Sequence, residues 1–323
     1  MRREVTECYH LTREFRNAGF HESDEHRQIL REIETAVQHG RFIVLSGIVG
    51  CGKTTTLCRL QEKLAETGEV LVAKSLSVDK ERVSLATLLM ALFYDLATEK
   101  DFVIPNKPEK RERALRELIR KKKKPVVLFI DEAHDLQSKT LIGLKRLIEM
   151  VCDGGGSLSV VLAGHPKLRN ELLRPTMEEI GNRATLFSLD NVHGANREYI
   201  YWLLKQCTRP ETDPATLFNE EAVDLLAERL ATPLQIGQHM TLALEAAFHI
   251  GGQPVTVDVI ESVLARDINE IEPTLTRHGY GTKALTELLN IKSAEACKFL
   301  RGQLSPERTQ DLQSQMLKAG LPL

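Results

Sequence analysis

The chain's clearest chemistry lies in Gly47-Ile48-Val49-Gly50-Cys51-Gly52-Lys53-Thr54, which fits the phosphate-loop pattern G-x-x-x-x-G-K-[ST]. Glycines let such a loop curl until successive backbone N–H groups, and the first turn of the next helix, point at phosphate oxygens. Lys53 adds a point charge, Thr54 a hydroxyl suited to Mg²⁺, and Thr55 extends the set by one residue. The second half is the apolar run Val126-Val127-Leu128-Phe129-Ile130, which ends in Asp131 and Glu132. Asp131 can support the metal shell, and Glu132 can take a proton from a water attacking in line. A strand followed by Asp-Glu is by itself more often a turn or a helix cap, but paired with the loop it reads as catalytic. The cofactors expected are ATP and Mg²⁺, with Thr54 and Asp131 as metal ligands.

Two further positions extend this constellation. The run ending Leu162-Ala163-Gly164-His165-Pro166 should deliver His165 to the same crevice, where it either orients water or caps the helix starting at Pro166. Arg183 precedes another apolar run. It either reaches a neighbouring copy's γ-phosphate as a trans-acting finger or lies solvated on the surface, with Arg174 as the alternative finger.

Five short apolar runs supply the strands that must hold these residues, at 41–47, 69–76, 125–131, 158–164 and 184–189. They are rich in β-branched residues or continuously apolar, as strands buried on both faces of a parallel sheet are. Amphipathic stretches at 54–66, 84–98, 109–120, 138–152 and 166–180 alternate with them, the signature of a doubly wound α/β sheet. After about residue 190 the pattern turns helical, at 194–207, 219–230, 234–249 and 256–266. The expected organisation is a nucleotide-binding α/β domain over 1–190, a helical lid over 191–266, a linker over 267–283 marked by Pro273, Gly279 and Gly281, and a small helical C-terminal module over 284–323. Ser305, Pro306 and Gly320 bracket the last helix.

Composition narrows the field. With 323 residues, 42% hydrophobic and 27% charged, the chain can bury a sizeable core, which excludes wholesale disorder. Cys8, Cys51, Cys58, Cys152, Cys207 and Cys297 form no C-x-x-C pair and read as reduced thiols. The polar start and the absence of long apolar stretches lead us to expect a cytoplasmic protein without a membrane span. Net charge is −2, so a nucleic acid can be met only by a local basic face.

The phosphate loop, LFIDEAH, LAGHP, the arginine before the fifth strand and the helical lid together resemble AAA+ ATPases, and within them the ExeA-like group that includes transposition regulators of the TniB, TnsC and Mu B type. The likeness runs over roughly residues 10–265. It implies a five-stranded AAA+ sheet, ATP hydrolysis and a homo-oligomer, either ring or helical filament, with nucleotide between subunits. It also implies an adenine pocket around Phe15 to His26. At Thr232-Pro233-Leu234-Gln235-Ile236 the chain departs from many AAA+ members, which place an arginine near here; Leu234 and Gln235 offer no such charge.

The basic face lies in residues 107–124, with ten Lys/Arg against three Glu. A stripe of Ala114, Leu115, Leu118 and Ile119 would anchor a helix. Lys110, Arg113, Arg120, Lys121, Lys122, Lys123 and Lys124 would then be left to meet DNA phosphates, or to act as solvated gatekeepers before a buried strand. No aromatic residue is interleaved, which favours duplex over single strands. The C-terminal module suits a transposase or targeting factor as much as DNA. The leading expectation is thus an ATPase that oligomerises on double-stranded DNA and presents it to a transposase. The alternatives are an ExeA-like secretion or assembly motor acting on protein, and a nucleotide-controlled signalling switch without DNA.

Overall fold

Residues apolar on both sides of an extended backbone belong in the middle of a parallel sheet, and three of the five runs take that place. β1 (Phe42–Ser46), β3 (Val126–Ile130) and β4 (Leu158–Gly164) are buried along their whole length. β2 (Leu71–Lys74) and β5 (Ala184–Ser188), only partly buried, form the edges. All pair in parallel in the order β2-β3-β4-β1-β5. The computed structural model describes residues 1–74, 83–97, 104–189, 196–264, 271–300 and 303–321. Expected positions at 75–76, 98, 190–195, 265–270 and 301–302, and the chain end 322–323, lie outside the described residues.

The register decides what the sheet can position. Ser46 sits opposite Gly164, and Ile130 opposite Leu162, so β3, β4 and β1 end side by side. The Gly47 N–H continues the ladder to the Gly164 carbonyl at 3.1 Å. In such a sheet the carboxyl ends of neighbouring strands form the functional edge.

The chain divides into two units, Arg27–Gly47 with Lys53–Asp190, and Met1–His26 with Ile48–Gly52 and Asn191–Leu323. In the α/β unit, helices Lys53–Thr67, Leu85–Leu96, Pro108–Lys122 and Ser138–Asp153 accompany the sheet, and the core includes Phe93, Leu115, Leu128, Leu144 and Leu162. Expectation and structure part in two places here. The stretch 166–180 is a helix at Pro166–Leu172, a 3-10 turn at Pro175–Met177 and a short helix at Glu178–Gly181, because Pro175 cannot continue a helix. A helix at Asp24–Val37 was not expected; Leu30, Ile33 and Val37 form its buried face.

In the helical unit, Asn196–Cys207, Glu220–Arg229, Pro233–Ile250 and Val257–Val263 share a core with Val5, Tyr9 and Phe15. The first 26 residues therefore group with the lid helices and not, as the expected boundary of 1–190 had it, with the sheet. The segment read as a linker contains helix Ile271–Arg277, and its Leu275 and Tyr280 are buried with Leu285, Phe299 and Met316. Thr282–Leu289, Ser293–Leu300 and Pro306–Lys318 complete this module, and Ser305 caps the last helix by accepting from the Arg308 N–H. None of the six cysteines, all of them among the described residues, is joined in a disulfide. Among the described residues no helix is long and apolar enough to cross a membrane.

Candidate active site

The loop leaving β1 is built on a tight turn. Cys51 N–H donates to the Ile48 carbonyl at 3.2 Å, and Gly50 adopts φ 85°. A Cβ at Gly50 would approach the Leu234 Cβ to 2.8 Å and Thr232 Oγ1 to 3.0 Å, so both the angle and the space require glycine. Lys53 opens the next helix, with Thr54 and Thr55 exposed on its first turn. The Lys53 side chain is buried, and its Nζ donates to the Gly47 carbonyl at 2.9 Å, folding the ammonium back over the loop.

Across the strand ends, Thr54 Oγ1 donates to Asp131 Oδ2 at 2.7 Å. The Glu132 N–H donates to Asp131 Oδ1 at 2.9 Å, which orients that carboxylate. Two hard oxygen donors are thereby held together, a set that fits Mg²⁺. Glu132 itself sits at φ 53°, ψ 37°, a left-handed conformation that costs a non-glycine residue about 1 kcal/mol or more. The strain turns the chain sharply at the end of β3 and sets Glu132 beside His134, whose Nδ1 lies 3.3 Å from Glu132 Oε2.

His134 is the residue that sequence reasoning missed. It stands in the LFIDEAH run, but nothing local to that run shows what it touches. Its ring stacks on His165 with centroids 3.7 Å apart and planes 21° apart, bridging the ends of β3 and β4. One ligating atom from each of Glu132, His134 and His165 comes within 4.8 Å of the others. Burial pushes the His134 imidazole below its ordinary value, against the opposing pull of Asp135 and Glu132. His165 stands at the N-cap position of the helix from Pro166, without a side-chain capping bond.

Other expected residues lie elsewhere. Arg183 is ion-paired with Glu149, which also takes Lys145 at 3.1 Å, while Lys145 pairs with Glu179. The Lys145 hydrogen bond, with Arg183 adding, holds the Glu149 carboxyl below its ordinary value. The Arg183 side chain is 61% exposed, so its charge is available at the surface. Arg174 is exposed just before the Pro175–Met177 turn. At the lid, Gln235 is engaged in a reciprocal cap: its N–H donates to Thr232 Oγ1 at 3.3 Å and its Oε1 accepts from Ala231 N–H at 3.0 Å. Leu234 is 59% exposed, while its N–H donates to the Gly50 carbonyl at 3.3 Å. In the segment expected to hold adenine, Phe15 is consumed by the core and His21 packs edge-on against Tyr199 and Trp202.

Helix Pro108–Lys122 buries Leu115 and Ile119, as its apolar stripe requires. Lys110, Arg113, Arg120, Lys121, Lys123 and Lys124 are exposed or nearly so, and Lys122 is half-buried. Arg113 lies 3.5 Å from Glu117, and Lys124 donates to the Gly68 carbonyl at 2.7 Å. Because this helix feeds the start of β3 and Asp131 follows its end, the lysine run and Asp131 lie at opposite ends of that strand.

Residues 34–172 match the family described as AAA domain. General secretion pathway protein A of Aeromonas hydrophila is 30% identical over 173 residues, which is 50% of this chain and 29% of that protein. The chain thus spans under a third of that relative's length. Among solved structures, Cdc6p from Pyrobaculum aerophilum is similar with a TM-score of 0.51 at 14% identity, over 92% of this chain and 86% of that one. The ADP form of ORC2 from Aeropyrum pernix gives 0.51 at 14%, over 91% and 84%. Drosophila ORC bound to DNA gives 0.51 at 17%, over 97% and 82%. These likenesses show the fold: an AAA+ α/β unit with a five-stranded parallel sheet in the order 2-3-4-1-5, followed by a helical region.

Proposed function

We propose that this chain hydrolyses ATP at the corner built by Lys53, Thr54, Asp131 and Glu132, and uses the cycle as a motor on a protein assembly, as its likeness to the secretion-pathway protein suggests. The observation that carries the hydrolytic reading is the 2.7 Å bond from Thr54 to Asp131, which joins the two halves of the motif across separate strands. With substrate present, Lys53 exchanges the Gly47 carbonyl for a phosphate oxygen. Thr54 and Asp131 would hold Mg²⁺, whose charge offsets that of the phosphate oxygens. Glu132 takes a proton from water as the water oxygen bonds to the γ-phosphorus and the bond to the bridging oxygen breaks, leaving ADP and phosphate. The stacked His134 and His165 flank Glu132 and restrict where that water can sit. Arg183 leaves Glu149 to stabilise charge in a neighbouring copy's site, within a homo-oligomer of ring or filament form.

The exposed lysine run favours a second reading, in which the oligomer assembles on double-stranded DNA and presents it to a transposase or targeting factor held by the C-terminal module. The relatives lend no support to transposition, so this reading rests on the basic helix alone. One experiment separates the two. Turnover and binding are measured with random-sequence duplex at rising salt, using wild type and Glu132→Gln, the latter expected to bind ATP and stall. Binding that falls steeply with salt favours DNA. Turnover without duplex binding favours the protein motor, and no turnover by wild type under any condition overturns the enzymatic reading.

A further inference from the structure

The turn at the tip of the phosphate loop is held from outside by two helix ends. Val49, its second residue, donates its N–H to the Arg277 carbonyl at 3.1 Å, and Gly50, its third, offers its carbonyl to the Leu234 N–H at 3.3 Å. These two groups flank the centre of the turn. One partner belongs to the first turn of the lid helix Pro233–Ile250, the other to the last residue of helix Ile271–Arg277. All of these residues lie within the same unit.

The second holder is anchored firmly. Carbonyls in a helix's last turn lack intrahelical partners, and Val49 supplies one to Arg277. The Arg277 side chain folds back on its own helix, with Nε donating to the Pro273 carbonyl at 3.2 Å and Nη2 to Thr274 Oγ1 at 3.2 Å. Gly279, at φ 89°, closes the helix, and the Tyr280 N–H returns to the Leu275 carbonyl at 2.9 Å. Leu275 and Tyr280 are core residues of the C-terminal module. An unbroken path of packed and bonded groups therefore runs from the module's core to the phosphate loop.

We propose that Arg277 is a positioning residue through which the C-terminal module presets the phosphate loop, so that nucleotide affinity and docking of the module are linked. The inference rests on the ATP reading above and adds a control element to it. Linkage is reciprocal: whatever draws the module off the loop weakens nucleotide binding by the same factor by which nucleotide strengthens docking.

The donor can be removed without disturbing the turn. With Gly50 at positive φ in the third place, the turn is of a type that accepts proline in the second, so Val49→Pro deletes the N–H and keeps the backbone shape. Arg277→Ala loosens the helix end without touching the loop, and Glu272→Gln, an exposed position on the same helix, serves as control. In the full chain, affinity for a fluorescent, slowly hydrolysed ATP analogue is measured together with hydrogen exchange at residues 271–281. Wild type and Glu272→Gln should show exchange that slows when the analogue binds. Val49→Pro and Arg277→Ala should lose that response and bind the analogue about fivefold or more weakly. Exchange indifferent to analogue in wild type, or unchanged affinity in both variants, overturns the proposal while leaving the ATP reading intact. Failure of wild type to bind the analogue at all overturns both.

Discussion

The corner of Lys53, Thr54, Asp131 and Glu132 and the basic helix lie at opposite strand ends of one sheet and differ in how their charges are held. At the corner, Lys53, Thr54 and Asp131 are each engaged by a specific bond, and Glu132 is fixed by a strained backbone and a stacked histidine pair. On the basic helix most of the cations face solvent. A wired site acts through geometry, so single changes there are costly, whereas an exposed run acts through summed charge and loses function by degrees.

Arg183 tests the limit of that contrast, because it is an exposed charge assigned a geometric task, and it should give the largest effect. Arg183→Ala should lower turnover by about 10³-fold or more and abolish its dependence on protein concentration. A variant that keeps wild-type turnover at every concentration would return Arg183 to the solvated surface. Next comes Glu132→Gln, expected to cost about 10²–10⁴-fold in turnover with ATP still bound; a steady-state assay beside a nucleotide-binding assay checks both halves. At the other strand end, the DNA reading requires that Lys121→Glu, Lys123→Glu and Lys124→Glu combined flatten the salt dependence of duplex binding by roughly one unit of slope for each phosphate no longer neutralised. Turnover without DNA should hold, and a variant that loses turnover instead would erase the distinction between the two strand ends.

The smallest effect concerns pH. His134 and His21 both titrate below the ordinary histidine value of 6.5, chiefly through burial. Above about 6.5 folded and unfolded chains are both neutral at these sites and stability is full. As pH falls below that value the unfolded chain binds protons first, so stability drops until the folded histidines titrate. Urea midpoints at about pH 7.5 and 5.5 should show this loss, and His134→Asn should reduce it.

Much of the corner was legible because its signals are local. The order of glycines, Lys53 and Thr54 dictates a loop and a helix start, and a buried strand must end where Asp131 and Glu132 begin. The misread segments failed for equally physical reasons. Pro273, Gly279 and Gly281 look like a hinge in composition, but Gly279 closes a helix whose Leu275 is buried. The helix Asp24–Val37 carried a signal that could have been used, Ser23 before an acidic first turn and apolar Leu30, Ile33 and Val37 at helical spacing.

What the sequence determined alone was the presence of a phosphate loop, an acidic strand end, a parallel sheet and a basic helix, since each depends on neighbours within a few residues. Only the tertiary structure decided that β4 separates β1 from β3 and so brings His165 onto His134, that Glu149 holds Arg183, and that Val49 is tied to Arg277. Such pairings follow from sheet order and packing between distant segments, and no local spacing of residue types encodes them.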